Sequence, residues 1–350
     1  MERVSRFFVL LFFVLLVLSP LASATPYWFK EGIYAKYVAR GWLSIDLNTS
    51  TGNVTYYCPR VEFTWRVLNV SDNRARVSLL LLGFNCTREA YSTLSLEEAR
   101  ALLRKYQERY NFTGGDCLEV PIAGGNVTVC EESYSERTAQ RSLGLMIMEG
   151  EGRLFNKSYV PENFSRAGVV EIDLIMGKIY VNGTPAGGNF LWVENPANVT
   201  GLEILPGLEV ETVRMINSTA MTYYGDFNAP VYMARTNMMS LDNWTMGKDV
   251  ILYDGSSGLA IAFFTPFSPL WKALGVSSTM IQDTEFAEEH EKEIKESNKM
   301  PPFGLVLART NIDFTRAEEL PDEGPSRTAV FAVAGIAAVL GVLFLWRWRR

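Results

Sequence analysis

Along most of the chain, apolar and polar positions alternate every second residue, the period of a strand with one face buried. YAKYVARGWLSIDL (34–47), VEFTWRVLNV (61–70), RARVSLLLLGF (74–84) and VVEIDLIMGKIYVNG (169–183) read this way. So do LEVETVRMIN (208–217), PVYMARTNM (230–238), DVILYDGSSGLAIAFF (249–264) and GLVLARTNIDF (304–314). Gly, Asn and Asp punctuate them, as antiparallel connections demand. Ser71-Asp72-Asn73 predicts a turn, and Met176-Gly177 and Asp254-Gly255 predict hairpin tips. If CLEVPIAGGNVTVC (117–130) folds about Ala123-Gly124, Leu118 faces Val129 and Val120 faces Val127 on one side of a hairpin. Cys117 then faces Cys130.

Two stretches break the two-residue period. SLEEARALLRKYQERY (95–110) opens with Ser95 and has Glu98 three residues on, a capping box. Leu96, Ala99, Leu103 and Tyr106 recur at helical steps, so this helix is expected to pack its Leu103 stripe on the concave face of a sheet. DTEFAEEHEKEIKESNK (283–299) sets Glu288 four residues before Lys292 and Glu291 four before Lys295, with Phe286 and Ile294 as its apolar positions. It reads as a solvated excursion, with a protruding contact arm as the alternative. The fold class expected is therefore mainly β (α+β): a curved antiparallel sheet packed on one or two helices, plus one C-terminal transmembrane helix.

That last helix comes from the chain's end. Thr328 to Trp346 gives 19 residues without a charge, the length of one membrane span, and Arg347, Trp348, Arg349 and Arg350 follow. Positive residues stay on the cytoplasmic side, so the bulk is expected outside the cell. At the start, Arg3 and Arg6 precede the apolar run Phe7–Leu18, and Ala22-Ser23-Ala24 supplies a small-residue cleavage pattern. This reads as a secretory signal, with an uncleaved anchor as the alternative. The expected organisation is 1–24 signal peptide, 25–327 β-rich exterior in one large or two small domains, 328–346 span and 347–350 cytoplasmic tail.

Asparagine usage agrees. The chain has 19 Asn, and chance would place roughly two or three of them in Asn-x-Ser/Thr triplets. Twelve are so placed, none followed by Pro: Asn48, Asn53, Asn69, Asn85, Asn111, Asn126, Asn156, Asn163, Asn182, Asn198, Asn217 and Asn243. Such an excess points to a glycan coat on the exterior. No triplet lies between Met246 and Arg327, which makes that stretch a candidate contact region.

Composition narrows the function further. Without the arginines and the one glutamate of the two ends, residues 25–327 carry 28 Lys and Arg against 38 Asp and Glu, a net charge of −10. An acidic exterior disfavours nucleic acid as a partner. Cys58, Cys86, Cys117 and Cys130 in an oxidising compartment read as two disulfides, for which four cysteines allow three connectivities. The hairpin register selects Cys117 with Cys130, leaving Cys58 with Cys86.

Catalytic motifs are missing. The one histidine, His290, lies in the charged helix and reads as a solvated surface residue, so there is no His triad and no HExxH zinc site. DGSSG (254–258) lacks the spacing of a nucleophile elbow and reads as a hairpin. No catalytic, metal or cofactor residue is singled out, and no cofactor is expected. The apolar runs at 261–276, 191–193 and 222–227 read as core, although a sheet curved around a helix can also leave a ligand cavity.

IYVNGTPAGGNFLWVENPANVTGLEIL (179–205) with ILYDGSSGLAIAFF (251–264) resembles membrane-anchored surface glycoproteins of heat-loving archaea, over about residues 170–265. The overall plan is similar to half-barrel lipoprotein carriers, whose sheet wraps a helix and can hold an acyl chain. That resemblance implies fold and carries no functional residue over, and the lipobox cysteine of lipoproteins is absent. The expected function is a single-pass cell-surface glycoprotein with a binding or structural role in the envelope, touching lipid, peptide or another envelope protein. The alternatives are a carboxylate-based glycan hydrolase and an accessory subunit of a membrane transporter.

Overall fold

A computed structural model describes residues 25–49, 52–94, 97, 101, 116–122, 125–131, 145–147, 154–228, 230–241, 244–246, 249–297 and 299–314. Residues 1–311 group as one compact unit and 312–350 as a second, of which only 312–314 are described. The signal segment and the 328–346 span lie outside the described residues. Among those described, no helix is long and apolar enough to cross a membrane, so the transmembrane helix rests on the sequence alone.

The strands in chain order are β1 (Tyr34–Thr49), β2 (Gly52–Ser71), β3 (Arg74–Phe84), β4 (Thr87–Leu94), β5 (Asp116–Ile122), β6 (Gly125–Glu131), β7 (Leu145–Ile147) and β8 (Leu154–Pro161). Then come β9 (Phe164–Asp173), β10 (Lys178–Val181), β11 (Thr184–Gly188), β12 (Glu203–Leu205), β13 (Leu208–Ile216), β14 (Ala220–Met221), β15 (Asp226–Phe227) and β16 (Val231–Thr236). β17 (Met239–Leu241), β18 (Trp244–Met246), β19 (Val250–Asp254) and β20 (Ala260–Phe264) precede a short helix, α1 (Pro269–Ala273). β21 (Ser278–Met280), helices α2 (Glu285–Glu289) and α3 (Glu291–Ser297), and β22 (Leu305–Thr310) complete the set.

Each of the eight alternating runs holds a strand or a hairpin. RARVSLLLLGF is β3 residue for residue, and every second side chain from Ala75 to Gly83 is buried. Sixteen strands form one antiparallel sheet, twelve of them along the path β11-β10-β9-β3-β2-β1-β22-β20-β19-β16-β13-β12. The ends of that path come close to one another. A Cβ at Gly187 in β11 would fall 2.0 Å from the Ile204 carbonyl oxygen in β12, and one at Gly188 2.2 Å from that of Glu203. The sheet is thus a nearly closed barrel, a shape that leaves few exposed edges.

Aromatic side chains pack inside it. Tyr37 lies 5.0 Å from Phe263, Phe63 5.3 Å from Trp271, and Phe190 5.4 Å from Phe263, centroid to centroid. Trp28, Trp65 and Trp192 form a second group, with Trp65 and Trp192 5.4 Å apart. Burying a phenol or indole favours a partner for its polar tip, which most of these rings find although Trp65 Nε1 has none. Tyr37 Oη donates to the Ala260 carbonyl at 2.8 Å, Tyr253 Oη to that of Phe190 at 3.0 Å, and Trp28 Nε1 to that of Ser257 at 2.8 Å. The apolar run 261–276 is therefore core, with Ile261, Phe263, Leu270, Trp271, Leu274 and Val276 all buried.

The helix expected to cover the sheet lies almost wholly outside the described residues. Of 95–110 only residues 97 and 101 are described, both helical and exposed, and the Leu103 stripe lies outside the described residues. Among those described, α1 takes the covering role. Ser268 caps it, accepting from Trp271 N–H at 3.3 Å, and Pro269 opens it, as suits a first helical turn. On β9, Gly168 makes room for it: a Cβ there would lie 2.5 Å from the Ala273 carbonyl oxygen.

Candidate functional site

β1 and β2 lose step at one place. Their register passes from Arg40 opposite Arg60 to Leu43 opposite Cys58, so Gly41 and Trp42 oppose Pro59 alone. Pro59 has no N–H to give the ladder. Gly41 sits at φ +126°, a backbone conformation that side-chain-bearing residues avoid, and a Cβ there would fall 2.1 Å from Thr284 Oγ1. This is a β-bulge, a device common beside functional sites.

Next to the bulge the outer face of the sheet carries a row of rings. Trp42 is 76% exposed and stacks on Tyr57 of β2, with centroids 5.2 Å apart and planes at 25°. Tyr57 in turn lies 6.2 Å from Tyr159 of β8, which is 56% exposed. β4 bridges the two strands, pairing Thr87 with Tyr57 and Glu89 with Tyr159. Tyr57 Oη donates to Glu89 Oε1 at 2.7 Å, and Glu89 is only 4% exposed. Burial, and after it the Glu89 carboxylate, push the Tyr57 phenol far above its ordinary value, so the bond keeps its proton on the tyrosine. On the same face Asp46 accepts from Thr55 Oγ1 and from Ser278 Oγ, each at 2.7 Å. Met280, paired with Ser44 and about half exposed, extends the row onto β21.

On the other side of the bulge the charged helices are fastened. Arg40 reaches both carboxylate oxygens of Glu289, at 2.9 Å to Oε1, and donates from Nε to Tyr223 Oη at 2.7 Å. Tyr223 Oη donates to Asp283 Oδ2 at 2.5 Å, and Asp283 Oδ1 accepts the Phe286 N–H at 2.8 Å. Glu289 first, and Tyr223 after it, hold the Arg40 guanidinium above its usual range. Phe286 is buried, edge-on to Tyr223 at 4.8 Å.

This corrects two expectations. The first half of the 283–299 stretch is anchored rather than a solvated excursion, because Phe286 inserts and Arg40 clamps α2, whereas α3 has no buried residue and stays solvated as expected. His290 is half-buried, not solvated: its ring stacks on Phe286 at 4.3 Å and its Nδ1 lies 3.0 Å from the Phe286 carbonyl, at the break between α2 and α3. Of the two expected ion pairs, Lys295 meets Glu291, whereas Lys292 lies 4.0 Å from Glu296.

Cys58 and Cys86 are bonded. Gly83 makes room for them, since a Cβ there would sit 2.5 Å from Cys58 Sγ and 2.6 Å from Cys86 Sγ. In β5 and β6, Cys117 is opposite Cys130, Leu118 opposite Val129 and Val120 opposite Val127, the register expected. Asn48, Asn69, Asn85, Asn163, Asn182, Asn198 and Asn217 are exposed. Asn53, Asn126 and Asn156 lie on β2, β6 and β8, with side chains outside the described residues, as are Asn111 and Asn243 altogether. The Asn163 Oδ1 accepts the Asn85 N–H at 2.9 Å, which leaves its amide nitrogen for a glycan. DGSSG is the β19–β20 hairpin, closed by Ser257 N–H and Oγ on Asp254 Oδ2 at 2.8 and 2.6 Å. Among the described residues no cluster of His, Cys, Asp or Glu could hold a metal.

Trp42, Tyr57 and Tyr159 were not singled out by sequence reasoning: Trp42 stands in an alternating run, where a ring reads as core, and Tyr57 and Tyr159 fall in none of the runs quoted above. Gly41 inside a strand and Pro59 on the neighbouring one carried the available signal, that of a bulge. The chain matches no known protein family, no curated protein and no solved structure. The likeness to archaeal surface glycoproteins thus rests on the quoted runs alone.

Proposed function

We propose that this chain is a single-pass surface glycoprotein of the cell envelope, whose β barrel serves a binding or structural role outside the cell. One observation carries the reading. All seven acceptor asparagines whose side chains are described stand exposed, while Asn189, the one buried asparagine among the described residues, belongs to no triplet. Glycan transfer needs that exposure, and burial of a glycosylated amide would be prohibitive. The acidic exterior and the Cys58–Cys86 bond fit an oxidising compartment. The anchor and the signal contribute the topology.

The test is made on cells that produce the full chain. Carbonate extraction should leave it in the membrane, and external protease on intact cells should remove the barrel. Glycopeptide mass spectrometry should find sugar on several of the seven exposed sites. Unmodified peptides at all twelve triplets, or a chain shielded from external protease, would overturn the proposal.

A further inference from the structure

The row of rings beside the β1 bulge calls for an explanation that packing does not give. Burying an aromatic side chain is favoured over leaving it in water. Trp42 forgoes that gain at 76% exposure, and Tyr159 does so at 56%. Neither is loose. Trp42 is set by a strained glycine on one side and a ring stack on the other, and Tyr57 is pinned by its bond to buried Glu89. A rigid set of exposed aromatic faces is characteristic of a recognition surface.

We propose that this face binds a neutral glycan chain. It deepens the binding reading above and rests on the barrel lying outside the cell. The apolar area here is mostly ring face, on the outer side of a sheet. An aromatic face carries negative charge density and attracts the polarised C–H groups that line one side of a pyranose. The same geometry offers little to an acyl chain, which prefers an enclosed aliphatic groove. Beside the rings stands a half-buried oxygen acceptor, Asp46, with the hydroxyls of Thr55 and Ser278 that hold it in place. Such groups take the hydroxyls of a sugar. The Asp46 carboxylate, in an exterior of net charge −10, disfavours uronic acids, sulfated sugars and anionic headgroups. The ligand is therefore uncharged, and the row Trp42–Tyr57–Tyr159 runs across β1, β2 and β8 to meet successive sugar units.

Tryptophan fluorescence and calorimetry on the full chain in detergent micelles test this, with three neutral oligosaccharide series as probes: β-1,4-glucan, mannan and chitin fragments. At least one series should bind saturably. Trp42→Ala should weaken it about tenfold or more and Tyr159→Ala less, because tryptophan offers the larger ring face and Trp anchors dominate recognition. Melting temperatures should stay at the wild-type value, since both rings are mostly in water. Trp42→Phe should retain part of the affinity, a graded response that a misfolded surface would not give. Failure of all three series to bind overturns the inference, as does binding that persists undiminished in Trp42→Ala. Vesicles of anionic lipid provide the counter-test: Trp42-dependent capture by them, without sugar binding, would assign the face to lipid. Each of these failures leaves the surface location intact, because protease shaving and glycopeptide mapping measure that separately.

Discussion

Asp249, the residue before β19, is 3% exposed, and its Oδ2 has no hydrogen-bond partner. Burial pushes its pKa up to about 8. The folded state therefore favours the protonated acid, while the unfolded chain releases the proton near pH 4. Stability should rise as pH falls from about 8 towards 4, and be lowest above pH 8, where the charge is fully formed in both states. Asp249→Asn removes the buried charge and should stabilise the barrel by about 2–5 kcal/mol at pH 9, with the gain vanishing near pH 4. Urea unfolding at the two pH values checks it, and an equal effect at both would show that burial of charge is not the cause. Gly83→Ala tests space rather than charge. The added methyl meets both sulfurs of the Cys58–Cys86 bond, and overpacking of this kind costs about 1–3 kcal/mol. The urea midpoint should fall accordingly. Nothing in RARVSLLLLGF marks Gly83 as a spacer for sulfur, although a glycine inside a strand does signal close approach of some kind.

Elements were the most legible level. Local hairpins have their register written into the two-residue period, so β19–β20 and the opposition of Cys117 to Cys130 could be read from the residues. Non-reducing peptide mapping should find Cys117 joined to Cys130, and a link from Cys58 to either one would refute the hairpin bond. The charged helices were legible as helices but not as anchored ones. Phe286 was visible as an apolar position, yet its partner Tyr223 lies some sixty residues earlier in the chain, at a distance no local pattern reports. Phe286→Ala should free α2 and α3 while sparing the barrel. Hydrogen exchange over 285–297 should accelerate to near that of an unstructured segment, with β1 and β2 amides unchanged. If 285–297 keeps its protection, the Arg40 clamp on Glu289 suffices alone and the aromatic anchor is dispensable.

For the whole molecule, the decisive pairing was invisible in the sequence. β1 takes β22 as a neighbour, with Ala35 opposite Thr310 and Val38 opposite Val306. Thr310 Oγ1 donates to the Tyr34 carbonyl across 276 residues. Alternation shows that both runs are strands and leaves their partners open, so the expected curved sheet was right in kind while its near closure could not be read. Removing β22 by ending the chain before Leu305 takes a partner from both β1 and β20. That truncated chain should lose its cooperative thermal transition, observed by near-ultraviolet circular dichroism; retention of the transition would mean the barrel stands without its seam.

The β1–β22 seam also sets an order of events in biosynthesis. A chain delivered N-terminus first exposes β1 long before Leu305–Thr310 exists, and an unpaired strand of sixteen residues invites pairing with other chains. Every acceptor triplet precedes that seam strand, from Asn48 on β1 itself to Asn243. On the surface-glycoprotein reading proposed above, sugars added during export would stand along the waiting strands while the barrel is still open, keeping neighbouring nascent chains apart until the last strand arrives. Blocking glycosylation should then depress the yield of folded protein far more than removing the sugars from the finished barrel lowers its stability.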